Sequence, residues 1–279
     1  MPYTFHLGVS SELSLLEIEA ISPVPVEKIS DSEVKVDIAD PGRVNYLANR
    51  LGGTIEVTDE NGEVFWRHSA KAWYKRDRER PFADSHKGML PPKVARIMIN
   101  LSLGKRDPRG LTLLDPFCGT GTILMEGHVL GLGLIGSDLD KDQLDGADQN
   151  LIWLGAKTKL FSSDATAISG QLAESSVDLI VTEPLMGRPG TREDRLPDLA
   201  KGLSKLYLGC LKDWFKVLRP GGTICMIFPV FHYHGQDYKT SVAIDSEKLL
   251  NYNIGLRGVM YSRPDAKVRR EIVLLTKKQ

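Results

Sequence analysis

The apolar positions change period along the chain, and those changes divide it. Residues 3–9 read as a strand closed by Ser10-Ser11. Residues 12–21 read as a helix, with Leu15, Ile18 and Ile21 at helical spacing and Ser11 as its N-cap. Pro23 and Pro25 end that helix. Two short strands, 26–29 and 34–38, flank a turn at Asp31-Ser32. Asp40-Pro41 opens a second helix with Val44, Leu47, Ala48 and Leu51 on one face. Gly52-Gly53 stops it, and 54–57 forms a last strand. The order β-α-β-β-α-β predicts a small ferredoxin-like α+β domain over residues 1–58.

A helix beginning at Pro91-Pro92 carries Val94, Ile97, Met98 and Leu101 on its buried face and ends at Gly104. From residue 111 onward, strands and helices alternate. Strands are expected at 111–114, 134–138, up to 163, 177–182 and 223–228. Between them run a helix over 123–130, one with Leu144, Ala147, Leu151 and Leu154 on its core face, and a long one marked by Leu199, Leu203, Leu206, Cys210, Trp214 and Val217. Residues 254–261 and 268–276 read as a closing hairpin about Arg263-Pro264-Asp265. This alternation predicts an α/β, Rossmann-like domain over 86–279, with strand order 3-2-1-4-5-7-6 and helices on both faces.

Between the two lies a basic, aromatic connector, 59–85. Trp66, Arg67, Lys71, Trp73, Tyr74, Lys75, Arg76, Arg78 and Arg80 interleave there, opposed from 66 to 80 only by Asp77 and Glu79. Cations neutralise phosphates and aromatic faces stack on bases, so Lys75, Arg76 and Arg78 are candidates for contact with RNA. The other reading is a solvated linker whose aromatics pin it to the second domain.

Composition narrows the class. The 279 residues are 42% hydrophobic and 26% charged, as in an ordinary globular protein. With 36 basic and 36 acidic residues, any nucleic-acid contact needs a local basic patch. Cys118, Cys210 and Cys225 stand far apart, which speaks against a zinc site or disulfide framework and fits a reducing, cytoplasmic setting. No apolar run reaches membrane-spanning length and no signal pattern opens the chain.

The chemistry concentrates where strands end. Leu113-Leu114-Asp115-Pro116-Phe117-Cys118-Gly119-Thr120-Gly121-Thr122 joins a strand to a helix through two glycines, bringing backbone N–H groups close to a cofactor. Asp115 is a poor neighbour for a pyrophosphate but suits a cationic ligand such as S-adenosylmethionine, which carries a sulfonium and an α-ammonium. Asp138 ends the second strand, where an acid accepts hydrogen bonds from ribose hydroxyls. Asp164 follows the third strand, where an acid receives an adenine amino group. Glu183-Pro184-Leu185-Met186-Gly187-Arg188 follows the fourth, and Arg188 is a candidate for substrate phosphate or a surface cap. His232 and His234 sit at i and i+2 without an evident third ligand, so a loop or substrate-side role is expected and no metal.

The string D-P-F-C-G-T-G-T over 115–122 resembles motif I of the THUMP-containing tRNA guanine-N2-methyltransferases, whose catalytic domain is UPF0020-like. Glu12-Leu13-Ser14, Leu51-Gly52-Gly53-Thr54, Met89 to Arg96 and the G-x-D-x-D of Gly136 to Asp140 also match that family, so the resemblance covers most of the chain. It implies transfer of a methyl group from S-adenosylmethionine to an RNA amino group, guanine N2 in tRNA first. A second enzyme reading is another RNA or a DNA amino group, and a third is a non-catalytic SAM- or RNA-binding protein. It implies that Met89, Asp115, Phe117, Cys118, Gly119, Gly121, Asp138, Asp164 and Ala165 hold the cofactor and that Glu183, Pro184, Leu185 and Met186 orient the target. Two departures stand out. The connector leaves no room for a THUMP domain, so that grip on RNA is either missing or supplied by a second protein subunit. At motif IV, where the family reads Asp/Asn-Pro-Pro-Tyr, this chain reads Glu183-Pro184-Leu185-Met186. Glutamate still accepts hydrogen bonds from the amino group, and methionine replaces the stacking tyrosine.

Overall fold

The computed structural model describes residues 1–8, 10–83, 90–188, 190–262 and 268–279. Its first sheet is built from β1 (Pro2–Leu7), β2 (Val26–Lys28), β3 (Glu33–Asp37), β4 (Thr54–Thr58) and β5 (Val64–Arg67), in the order β2-β3-β1-β4-β5. Every pairing is antiparallel. Helices α1 (Ser11–Ile21) and α2 (Pro41–Arg50) follow β1 and β3, so the first four strands have the ferredoxin-like arrangement. Phe5, Ile18, Val34, Val36, Val44, Ala48 and Val57 form its core, each fully buried. The cap of α1 is Ser10 rather than Ser11. The Ser10 carbonyl accepts from the Ser14 amide and hydroxyl, whereas Ser11 is already helical.

The described part of the connector, residues 59–83, is structured. β5 adds to the edge of β4, with Trp66 donating from its indole to Asn49 at 3.1 Å. Helix α3 (Ala70–Arg78) is N-capped by the Ser69 hydroxyl, which accepts from the Ala72 amide. α4 (Pro92–Leu103) follows and is buried at every position but Lys93, because it is sandwiched between α1 and the second sheet.

The second sheet contains β6 (Thr112–Asp115), β7 (Gly133–Asp138), β8 (Thr158–Ser162), β9 (Val177–Thr182), β10 (Leu218–Tyr233), β11 (Gln236–Lys239), β12 (Tyr252–Tyr261) and β13 (Val268–Lys277). The order β8-β7-β6-β9-β10-β13-β12 is the expected 3-2-1-4-5-7-6. β8 through β10 run parallel, while β13 is antiparallel to β10 and β12 antiparallel to β13. α4, α5 (Thr122–Val129) and α6 (Lys141–Leu154) pack around one apolar cluster, and α7 (Leu196–Val217) packs Tyr207, Cys210 and Trp214 into the other. β10 runs well past the six residues expected, because buried Val230 and Phe231 continue it into a hairpin with β11. His232 and His234 belong to that hairpin. His232 Nδ1 lies 2.8 Å from Asp237, and His234 takes φ +48° in the turn.

A buried polar chain joins the two sheets' helices. Glu17 of α1 is fully buried and accepts from the Gly52 and Gly53 amides, each at 2.9 Å, and from Asn100 at 2.6 Å. Burial raises its pKa above the usual carboxylate value, against the hydrogen bonds from Asn100 and the two glycine amides. Asn100 also donates to the Arg50 carbonyl, which accepts from Arg96 as well. Arg96 and Arg76 then clasp Glu126 of α5 from two sides, each at 2.5 Å, with Trp73 of α3 lying against both guanidiniums. A glycine is required at position 53, where a Cβ would stand 2.2 Å from the Ser14 hydroxyl.

Candidate active site

The carboxyl ends of β6, β7 and β9 open into one cavity of about 450 Å³, a volume within the range of small-ligand sites. Strand direction accounts for the convergence: three parallel neighbours deliver Asp115, Asp138 and Glu183 to the same edge.

The glycine turn follows β6. Gly119 and Gly121 take φ of +49° and +85°, a region that penalises side chains; Gly119 lines the cavity, whereas Gly121 lies against Ala147 of α6 and outside the lining. Asp138 fixes this turn from the neighbouring strand. One of its oxygens accepts from the Gly119 amide at 2.9 Å, the other from Asp140 at 3.0 Å. Asp140 in turn caps α6 through the Asp142 and Gln143 amides. Asn150 of α6 holds the turn's other side, donating to the Thr120 carbonyl and to Phe82, while Arg80 donates to the Thr122 hydroxyl at 2.8 Å.

Asp115 is 2% exposed. It accepts from the Thr182 hydroxyl at 2.7 Å and from the Phe117 amide at 3.2 Å. Burial outweighs those two bonds, and the negative Asp138 and Glu183 add to the effect, so its pKa is pushed up to about 7. An acidic cavity of this kind, with apolar Leu90, Phe117, Ile123 and Met186 also lining it, fits a cationic ligand that carries an apolar body. S-adenosylmethionine has that chemistry, and these residues fit it.

Glu183 faces the cavity and accepts from Arg270 Nε of β13 at 2.6 Å, both side chains being largely buried. The backbone that follows is pinned by α7, whose Tyr207 hydroxyl donates to the Leu185 carbonyl at 2.6 Å. Leu185 is exposed, whereas Met186 packs partly on the core.

The other expected residues are dispersed. Cys118 lines the cavity, but burial, reinforced by Asp115 and Asp138, raises its thiol pKa well above normal, so it is a packed neutral thiol rather than a nucleophile. Asp164 does not line the cavity; its carboxylate accepts from the Thr166 amide and hydroxyl and is held below the usual range by them. Ala165 is buried, its carbonyl accepting from Trp214. Buried Pro184, half-buried Gly187 and exposed Arg188 also line the cavity. Met89 lies outside the described residues. Of the connector residues expected to meet RNA, Arg76 is instead turned inward onto Glu126, while Lys75 and Arg78 are exposed. Among the described residues, no group of His, Cys, Asp or Glu is arranged to hold a metal ion, and no helix is long and apolar enough to cross a membrane. Thr182, Arg270 and Tyr207 were not among the expected site residues: Thr182 ends β9 beside Glu183 but acts on Asp115, 67 residues away, and Arg270 and Tyr207 arrive from β13 and α7.

A family model described as UPF0020, RMKL-like, methyltransferase domain matches residues 78–257. A tRNA (guanine(10)-N2)-dimethyltransferase of Methanothermobacter thermautotrophicus is 33% identical over 183 residues, 65% of this chain and 47% of that protein. One from Pyrococcus abyssi is 29% identical over 204 residues, 72% of this chain and 55% of that protein. The chain thus spans about half the length of these two relatives. A U6 snRNA (guanine-N(2))-methyltransferase of Bos taurus is 32% identical over 129 residues, 44% of this chain and 23% of that protein. Among solved structures, TrmN from Thermus thermophilus aligns with a TM-score of 0.59 at 17% identity, over 99% of this chain and 100% of that one, a likeness of fold.

Proposed function

We propose a function from one established premise: the chain belongs to the UPF0020 family, RMKL-like, methyltransferase domain. Our reading is S-adenosylmethionine-dependent methylation of an exocyclic amino group in structured RNA, with guanine N2 of tRNA as the leading target. The observation that carries it is the meeting of Asp115, Asp138 and Glu183 in one cavity beside a glycine turn. The relatives whose names specify guanine N2 support the choice of atom.

When bound, S-adenosylmethionine supplies a methyl group already activated by its sulfonium. Asp115 would face the cationic end, and the backbone at Gly119, which lines the cavity, would admit it closely. Asp138 retains acceptor capacity beside its two backbone bonds and takes ribose hydroxyls. The target amino group is a weak nucleophile, because its lone pair is delocalised into the ring, so the protein's task is position. Glu183 accepts a hydrogen bond from the amino group and turns its lone pair toward the methyl. Arg270 holds the longer glutamate arm in place of the family's shorter aspartate or asparagine. Met186 provides an apolar contact for the flipped base, and Arg188 at the mouth meets a flanking phosphate.

A second reading changes only the RNA. Between β4 and α4 the described residues form β5 and α3 and no further α+β unit, which favours an RNA other than tRNA, or RNA grip supplied by a second protein subunit. Labelled methyl transfer into tRNA and into small nuclear RNA separates the two. Label confined to tRNA supports the first reading, and label confined to the other pool replaces it.

A further inference from the structure

The exposed side of α3 is organised in a way that its inner side does not require. Lys71, Tyr74, Lys75 and Arg78 are spaced i, i+3, i+4 and i+7, and all four are exposed, Tyr74 at 59%. They form one stripe along the helix. Trp73 and Arg76 point the other way, into the Glu126 and Arg96 cluster, so the stripe has a fixed orientation. α3 has no buried residue of its own. Its place is held by an ion pair, a cap and ring–cation contacts rather than by apolar burial, the usual anchor of a surface helix.

The stripe is also tied to the cavity. Arg76 grips α5, whose first residue, Thr122, lines the cavity and receives Arg80 two residues beyond the end of α3. The chain as a whole is electrically neutral, so three cations on one helical face are a local concentration rather than a reflection of composition. Two nearby acids temper it. Asp77 pairs with Arg78 at 3.1 Å, and Glu79 is exposed just after the helix. The Arg78–Asp77 pair is solvent-exposed, so solvent screens it and it yields to a phosphate at little cost. The Lys75 ammonium lies 5.2 Å from the Trp153 ring centroid, a cation–π contact on an exposed side chain that holds the charge in place at the surface.

The geometry points to this stripe as a docking ridge for the phosphate backbone of the substrate RNA, with Tyr74 offering a face for an unpaired base. From Lys71 to Arg78 it extends about 10 Å along the helix axis, enough for about three successive phosphates. The inference rests on the proposed RNA-directed function and extends it to a grip outside the cavity.

The test uses the full chain with Lys71, Lys75 and Arg78 all changed to Glu, and separately Tyr74→Ala. Equilibrium binding to a tRNA transcript is measured from about 50 to 200 mM salt, together with calorimetric S-adenosylmethionine binding and thermal melting. The triple variant is expected to lose at least about tenfold in RNA affinity, with the log–log salt slope reduced by about two. Tyr74→Ala should weaken RNA binding about fivefold or more with the salt slope unchanged. Cofactor affinity and melting temperature should match the unsubstituted protein in both. If the unsubstituted protein binds RNA and the triple variant binds it equally well with the same slope, the ridge is refuted while the proposed function stands. If the unsubstituted protein binds neither the tRNA transcript nor small nuclear RNA, measured the same way at low salt, the functional reading fails and the ridge with it.

Discussion

Replacing Glu126 by Gln tests the polar chain that holds α3, α4 and α5 together. Glu126 is fully buried and accepts from Arg96, 2% exposed, and from Arg76, whose side chain is 11% exposed. The amide keeps the shape but removes the carboxylate that both guanidiniums grip. Arg96 has no route to solvent, since its α4 backbone is enclosed by α1 and the second sheet. Breaking a buried ion pair from one side costs about 3–5 kcal/mol, because an uncompensated charge remains. For a chain of this size about 1 kcal/mol moves the melting point by about 2 °C, so the variant should melt about 6–10 °C lower. Differential scanning calorimetry reads the shift directly. Asp194→Asn provides the contrast, since its Arg192 partner is 79% exposed and the change should fall within about 0.5 kcal/mol. A Glu126→Gln loss of less than about 2 °C would refute the idea that this cluster welds the helices. Replacing Arg76, Arg96 and Glu126 together by apolar residues of similar size should recover much of the loss, as expected when a charge and its partners leave together.

Other consequences follow from the cavity. Arg270→Ala should lower kcat for methyl transfer about 10–100-fold by releasing Glu183, with cofactor affinity within about twofold. Arg270→Lys, or added guanidinium ion at millimolar levels, should restore part of it; equal loss of cofactor binding would mean the pair is structural. Asp115, with its pKa pushed up to about 7, must lose a proton to face a cation as a carboxylate. S-adenosylmethionine affinity should therefore fall about tenfold from pH 8 to pH 6, and Asp115→Asn should flatten that profile in calorimetry. The sign for stability is opposite. The folded-state pKa lies above the unfolded value, so the native protein holds an extra proton between about pH 4 and pH 7. Asp115 therefore favours folding as pH falls from 8 through that window, and the same Asn variant should remove its share of the change in a ligand-free urea titration.

β6, β7 and β9 were legible in the sequence because each is a largely apolar run ended by a polar residue. β9 was located to the residue, and the acids at 115, 138 and 183 mark strand ends without reference to anything distant. Long-range placement was not legible. Arg270 follows Arg269 in a strand whose two basic side chains look alike, and only the register against β10 and β12 brings Arg270 to Glu183 while Arg269 turns to Asp237. Nothing in the local sequence marks Glu126 on α5, because its two arginines come from 30 and 50 residues upstream. The connector's mixed character, half inward and half outward, is the helical period of α3, which a short polar segment without a buried face does not announce. Asp164 sits where a strand-end acid was expected, yet its own turn takes up the carboxylate, a local competition characteristic of aspartate.

Methyl transfer to guanine N2 is decided by incubating the purified protein with methyl-labelled S-adenosylmethionine and RNA, then digesting the RNA and identifying modified nucleosides by mass spectrometry. Label is expected in N2-methylated guanosine, absent with Glu183→Ala although that variant still binds the cofactor. Cofactor binding with no label in any RNA, or label unaffected by Glu183→Ala, would contradict the proposed function.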